Sequence, residues 1–451
     1  MRGTLPFTLV EEMALHLERR FRPLNIQIEL ATSATVDVDR LATATRTAMA
    51  RHPMSRARRR PARPIDTRYR WQIPAEPGPV PIYEVDGDEH DVRTVRNRLY
   101  SRPFDLTEEP PFAIVVYRGG GIDGGDRLLQ STSHVVSDGV GLLRFTRAVL
   151  TAYRGGEPTA DSISLCESRS LLADCRPETL ADARDAAATV ARRLREWVLS
   201  PTDIAEDGGS DRPGWGYERR VLDPESTARL IDAPPSGVTV NDVLLAALHR
   251  TIDRWNEAHG EPTGWLSVMM PVNVRPDDWF YQVMAMYTLF ERVRTDRSDR
   301  RDPVDTLRTV TRQTTRIKER DLPEATYAAL SLLPDLPVAL ERHLPDLLEG
   351  PGSRLLDTVV LTNLGNVPVS PSLEDGTEGR VWFAPPTWDQ LPVGIAVGTF
   401  DGELHLFCRY RLTQFDSDGA ARFVDLYLEQ VERLADDVLP GMDAPDVHQG
   451  L

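Results

Sequence analysis

A mixed α/β fold (an α+β sandwich) in two lobes is predicted on three observations. The chain has 451 residues, more than one simple hydrophobic core organises. Strand-length apolar runs and helical-period runs intermix in both halves. Between the halves, residues 200–216 are polar, carry Gly208-Gly209 and Pro213-Gly214, and show no apolar period. The expected division is residues 1–200, a crossover at 201–216, and residues 217–451.

In the first half, Leu5 to Arg20 reads as an amphipathic helix with Leu9, Met13 and Leu17 at helical spacing. Asn25 to Leu30 alternates Ile26, Ile28 and Leu30 with polar residues, as a strand does. Val36 to His52 is a helix stopped by Pro53, which makes His52 a helix-end residue rather than a second base. The arginine-rich run Arg56 to Arg63 reads as a solvated edge, with steering of an anionic ligand as its alternative. A further helix covers Asp88 to Arg102. Phe112 to Tyr117 and Arg127 to Ser133 are strands joined by a glycine-rich link, Gly119 to Gly125. That link contains Gly-x-Gly-x-x-Gly, but a dinucleotide fingerprint needs a helix next, and a strand follows; a hairpin loop is expected. Helices at Leu142 to Tyr153 and Pro177 to Leu199 complete this half.

The second half opens with a strand at Tyr217 to Leu222. Thr239 caps a helix, with Asp242 three residues on, and Gly260 closes it. His249, on or beside its apolar face, reads as a core residue. Strands are expected at Trp265 to Met270, Met284 to Phe290, Asp357 to Thr362, Arg380 to Ala384, Val393 to Phe400 and Glu403 to Tyr410. Asp416 to Ala435 is the last helix, followed by an unanchored tail after Asp436.

Composition excludes several functions. A net charge of −16 disfavours nonspecific nucleic-acid binding and anionic membrane surfaces, which call for a basic face. No apolar stretch is long enough to span a bilayer, and Glu11 and Glu12 interrupt the first apolar stretch, unlike a signal peptide. Cys166, Cys175 and Cys408 are few and odd in number, which suits a reduced, cytoplasmic setting.

The stretch that carries chemistry is Ser131-Thr132-Ser133-His134-Val135-Val136-Ser137-Asp138-Gly139-Val140-Gly141. It joins the strand ending at Ser133 to a helix-like run beginning near Val140, so a histidine sits where a strand stops. A neutral imidazole there can take a proton near pH 7. A metal site would need His134 and Asp138 on one helix face with a third ligand; Gly139 and Gly141 oppose that helix, and no metal is expected.

This stretch resembles the His-x-x-x-Asp-Gly motif of the CoA-dependent acyltransferase superfamily. That group includes chloramphenicol acetyltransferase, plant alcohol acyltransferases, wax ester synthases, mycobacterial polyketide-associated acyltransferases and the condensation domains of nonribosomal peptide synthetases. Five further segments resemble it in the same order: Val36 to Arg58, Pro103 to Leu106 with Pro110-Pro111, Thr239 to Arg250, Pro271 to Arg275, and Thr362 to Pro368. Ser133 stands where many condensation domains and wax ester synthases have a first histidine, and the Asp-Phe-Gly-Trp-Gly motif of the plant branch is absent, which favours a bacterial branch.

The resemblance implies two lobes like chloramphenicol acetyltransferase subunits, with an active-site tunnel between them. His134 would be the general base that activates an acceptor hydroxyl or amine. Asp138, with Gly139, would hold the turn by pairing with Arg275. Oxyanion or substrate contacts would come from the Gly139 amide, Ser133, Thr362, Asn363 and Gly365. The donor would be a thioester, acyl-CoA or an acyl group on a carrier protein's phosphopantetheine, with no permanently bound cofactor. The acceptor would be a small molecule, and one chain would suffice as a monomer. Two rivals are weighed. A serine hydrolase using Ser131, Ser133 or Ser137 would lack a Gly-x-Ser-x-Gly elbow, which is missing throughout. A non-catalytic binding module would have no need of the intact motif.

Overall fold

The computed structural model describes residues 3–441 apart from 22, 88–90, 175–178, 182–183, 185–186, 189–199, 212, 320–335, 342, 344–356 and 369. In chain order the strands of the first half are β1 (Gly3–Pro6), β2 (Asn25–Thr32), β3 (Arg58–Arg59), β4 (Arg70–Ile73), β5 (Ile82–Val85), β6 (Phe112–Tyr117) and β7 (Arg127–Ser133). Those of the second are β8 (Trp215–Leu222), β9 (Leu266–Asn273), β10 (Thr288–Thr295), β11 (Val359–Asn366), β12 (Gly379–Ala384), β13 (Val393–Phe400) and β14 (Glu403–Arg411). The helices are α1 (Leu9–Arg20), α2 (Val38–Arg51), α3 (Val92–Tyr100), α4 (Gly139–Tyr153), α5 (Leu165–Asp174), α6 (Pro224–Asp232), α7 (Val240–Ala258), α8 (Pro303–Glu319), α9 (Val338–Glu341) and α10 (Ser417–Arg433).

Two main sheets carry the α/β architecture: β12-β2-β7-β6-β5 and β10-β9-β11-β13-β14-β8, with a small third sheet, β1-β4-β3. Strands β2, β6 and β7 are buried along their whole length, as strands covered on both faces must be. The glycine-rich link closes an antiparallel β6–β7 hairpin, so no dinucleotide turn forms there. Helix α7 starts at the expected cap: Thr239 accepts from the Asp242 amide and Asp242 accepts from the Thr239 amide. It packs against α8 and α10 over a second core. One strand of the second half joins the first: β12 pairs antiparallel with β2, from Gly379 opposite Thr32 to Ala384 opposite Gln27.

Several expectations are corrected. Residues 3–6 form a strand on β4, and the helix begins only at Leu9, because Thr8 and Glu11 form a capping box. The strand expected at Met284 to Phe290 lies instead at Thr288–Thr295, where burial alternates. Val283 to Tyr287 are an irregular buried segment packed with Val10 and Val274; an apolar run alone does not distinguish a buried loop from a strand. Just after Asp436, Val438 and Leu439 are buried, and the rest of the expected tail, beyond Gly441, lies outside the described residues. The helix expected at Pro177 to Leu199 falls largely outside the described residues, as does Cys175. No helix among the described residues is long and apolar enough to cross a membrane.

Where β12, β2 and β8 come together, Glu29 is buried among three guanidinium groups. Arg96 grips it with two bonds of 2.6 and 2.7 Å, Arg219 lies at 3.0 Å, and Arg127 also pairs with it. Burial pushes the Glu29 carboxyl up, but Arg96 first, then Arg127 and Arg219, hold it down to about 2. A depressed folded value means this contribution is present above the unfolded carboxylate range, about pH 4.3, and fades as pH falls from there toward 2. Glu29→Gln is expected to cost about 3–5 kcal/mol, because it strands buried positive charge. Urea unfolding at pH 7 reads that loss; an unchanged midpoint would overturn it.

Candidate active site

Strand β7 delivers His134 to its C-terminal end. There the His134 amide donates to the Leu24 carbonyl at 3.0 Å, and the Val136 amide to the Ser133 carbonyl at 3.3 Å, which makes a tight turn. His134 is buried, and its Nδ1 lies 2.8 Å from the Ser137 carbonyl oxygen. A carbonyl only accepts, so Nδ1 carries the proton and Nε2 the basic lone pair. Burial lowers the imidazole's proton affinity, opposed by the Ser137 bond and the Asp138 charge, so the ring is neutral near pH 7.

Asp138 ends the turn and caps α4, its Oδ1 accepting from the Gly141 amide at 2.9 Å. Arg275, expected as its partner, reaches it from the second half. The two guanidinium nitrogens donate at 2.6 and 2.9 Å, both side chains fully buried. The Tyr287 amide adds a bond of 2.9 Å to Oδ2, and Arg275 also donates to the Ala285 carbonyl at 2.8 Å. Burial would raise the Asp138 carboxyl, but Arg275 and the amides hold it below the usual range. His134 and Asp138 both precede the helix, so they do not share a helical face.

His134 and Gly139 open onto a cavity of about 120 Å³. Thr362 and Asn363 face it from β11, Asn273 and Thr288 from β9 and β10. Its other walls are apolar, including Ile26, Val140, Met269, Phe290 and Phe383. Gly139 and Val140 open α4, and among the described residues no group accepts from their amides; Asp138 satisfies only Gly141. Two free donors at a helix N-terminus beside His134 suit a developing negative charge. Asn363 accepts from the Gly365 amide at 2.9 Å through Oδ1, leaving its NH₂ as the available donor. Gly365 serves that turn with φ 64°, and Ser133 accepts from the Val135 amide at 3.4 Å; neither lines the cavity.

The other described histidines lie apart from this cavity. His249 is buried against Thr295 at 2.9 Å, with burial pushing it down to about 3. His52 caps α2 and pairs with Asp161. Arg60 and Arg63 border a separate groove with Arg68 and Arg70. Among the described residues no cluster of three His, Cys, Asp or Glu could hold a metal. Sequence reasoning missed Met269, Phe280, Phe290, Phe383 and Trp388, which build the walls from separate segments and carry no motif.

Gly139 leaves little room for a side chain: a Cβ there would lie 3.1 Å from the Phe383 ring and 3.3 Å from Leu364, so those side chains would have to shift by a few tenths of an ångström. Gly139→Ala is expected to keep stability, since alanine suits a helix better, while lowering turnover about tenfold or more. Parallel melting and rate measurements check this; full turnover would show that the cavity floor tolerates a methyl.

No protein-family model matches the chain. Among solved structures it resembles the first condensation domain of the CDA synthetase, with TM-score 0.69 and 15% identity over 97% of this chain and 96% of that one. It also resembles the EpoB cyclization-docking bidomain from Sorangium cellulosum, with TM-score 0.67 and 20% identity over 96% and 86%. The tyrocidine synthetase TycB3 epimerization domain follows, with TM-score 0.64 and 16% identity over 97% and 98%. The fold is that of these condensation, cyclization and epimerization domains. In sequence the chain is 31% identical over 432 residues to the uncharacterized protein Rv2305 of Mycobacterium tuberculosis, covering 95% of this chain and 99% of that protein. The chain belongs to the family of that mycobacterial protein. Since one fold here spans condensation, cyclization and epimerization domains, only the site can argue for a reaction.

Proposed function

We propose that the protein transfers an acyl group from a thioester donor, acyl-CoA or a carrier-bound phosphopantetheine, to the hydroxyl or amine of a small acceptor. The observation that carries the reading is the pairing of an Nε2 lone pair on His134 with free helix-terminal amides at Gly139 and Val140 on one cavity. His134 takes the acceptor's proton as the acceptor oxygen or nitrogen bonds to the thioester carbonyl carbon. The amides meet the oxyanion of the tetrahedral intermediate. Collapse breaks the carbon–sulfur bond, and the imidazolium returns the proton to the departing thiolate. No covalent acyl-enzyme is required, and holding both reactants in place supplies much of the rate.

The scheme calls for a tunnel reached from two faces. A second depression is lined by Leu15, Arg19, Arg59, Arg102 and Phe104 together with the acidic Glu18, Asp105 and Glu109. There Asn25 donates to the Arg102 carbonyl at 2.7 Å and sits opposite Ser133. The test is thiol release from a panel of acyl N-acetylcysteamine thioesters, which share the reacting end of both donor types, without acceptor and then with alcohol or amine acceptors. Chain-dependent release that needs His134 supports the reading. Failure with every chain and acceptor, or release equal without His134, would sink it.

A further inference from the structure

The segment between β9 and β10 forms one wall of the cavity and contains an unusual backbone. Tyr281 has φ 58°, the left-handed region that a bulky side chain rarely adopts. It directly follows Phe280, which lines the cavity and is 39% exposed. The two rings meet edge to face at 4.8 Å. Such a conformation persists only where the surroundings over-determine it.

The surroundings here are a buried clamp outside the catalytic turn. Arg144, on α4, donates to the Tyr281 carbonyl and, through Nε, to Asp161 Oδ1 at 2.8 Å. The same carboxylate oxygen meets His52 Nδ1 at 2.8 Å and the Met284 amide at 3.3 Å. Next to it, the Ser162 amide donates to the Gln282 carbonyl at 3.0 Å. Asp161 thereby ties the end of α2, the body of α4 and the segment carrying Phe280 to one point. The far end of that segment is held separately, through Ala285 and Tyr287, by Arg275 and Asp138.

We propose that Phe280 limits the length of the acyl chain the cavity accepts, and that the left-handed Tyr281, clamped by Arg144 and Asp161, is the positioning residue that keeps Phe280 in the wall. This rests on the acyl-transfer reading of the same cavity. The cavity is small and largely apolar, so a ring at its mouth sets how far an apolar chain extends. The clamp explains why a residue as large as tyrosine is tolerated in a conformation suited to glycine or asparagine.

The test compares thiol release from dodecanoyl and butanoyl N-acetylcysteamine thioesters. Phe280→Ala is expected to raise the dodecanoyl-to-butanoyl ratio about tenfold or more, since a pocket discriminates by about that factor per methylene gained. Tyr281→Val, which disfavours the left-handed backbone, is expected to shift the ratio the same way. Tyr281→Asn, close in size to the valine variant but tolerant of that backbone, is expected to keep the wild-type ratio. An active wild type whose ratio is unchanged in both Phe280→Ala and Tyr281→Val overturns the proposal. A wild type silent on every thioester defeats the acyl-transfer reading and, with it, the role of Phe280. Hydrogen exchange of residues 276–287 then decides the clamp on its own: faster exchange in Tyr281→Val than in Tyr281→Asn supports it, and equal exchange overturns it.

Discussion

His134→Ala is expected to lower thiol release from an accepted thioester by about 10²–10⁴-fold, the usual contribution of a positioned general base. A residual rate should survive, because proximity and the Gly139 and Val140 amides remain. Removing the ring also leaves the buried Ser137 carbonyl without its 2.8 Å donor, at a cost of about 1–3 kcal/mol. His134→Gln therefore belongs beside it: glutamine retains an amide donor but has no basic lone pair, so both variants should lose rate alike even if only the alanine variant is less stable. The pH profile gives an independent reading. Burial lowers the His134 proton affinity, so the base stays unprotonated through neutral pH, and the acid limb of kcat/KM should fall below the ordinary imidazole value of about 6.5. Full activity in either variant, or an acid limb above that value, would remove His134 as the base.

Asp138→Asn is expected to act on the fold as much as on the chemistry. The carboxylate neutralises a fully buried Arg275 and also accepts from Gly141 and Tyr287. An asparagine keeps an oxygen for one amide but turns its NH₂ toward a guanidinium that only donates. Stranding that charge should cost about 3–5 kcal/mol, a large part of the total stability of about 5–15 kcal/mol typical of a folded domain. The carboxyl's folded value is held below its ordinary one. The pair's stabilisation is therefore complete above the unfolded value of about 3.9 and fades as pH falls through the folded value. Chemical unfolding of the variant and of Arg275→Lys at pH 7 measures this. A variant as stable as the wild type yet inactive would assign the pair to catalysis rather than to holding the turn.

The turn that presents His134 was legible because its information is local. Strand β7 stops at Ser133, Asp138 caps the next helix and Gly139 follows, and each step is set by neighbours within a few residues. The cap at Thr239 was legible for the same reason. Arg275 was reached only through resemblance, since it lies 137 residues from Asp138 and nothing in its own surroundings distinguishes it from a surface arginine. The segment before β10 was misread because Val283 to Tyr287 are apolar and buried without forming a strand.

By itself, then, the amino-acid order determined the mixed α/β class, most strand and helix positions, and the turn that presents His134, since turn chemistry, caps and hydrophobic period are short-range. Only the tertiary structure decided that β12 completes the sheet of the first half, that the Tyr287 amide joins Arg275 on Asp138, and which side chains wall the cavity. It also revealed the left-handed Tyr281, a conformation its residue type argues against and its packing imposes. These features depend on contacts between distant segments, and such contacts follow from how strands pair and cores fill, which no local spacing encodes.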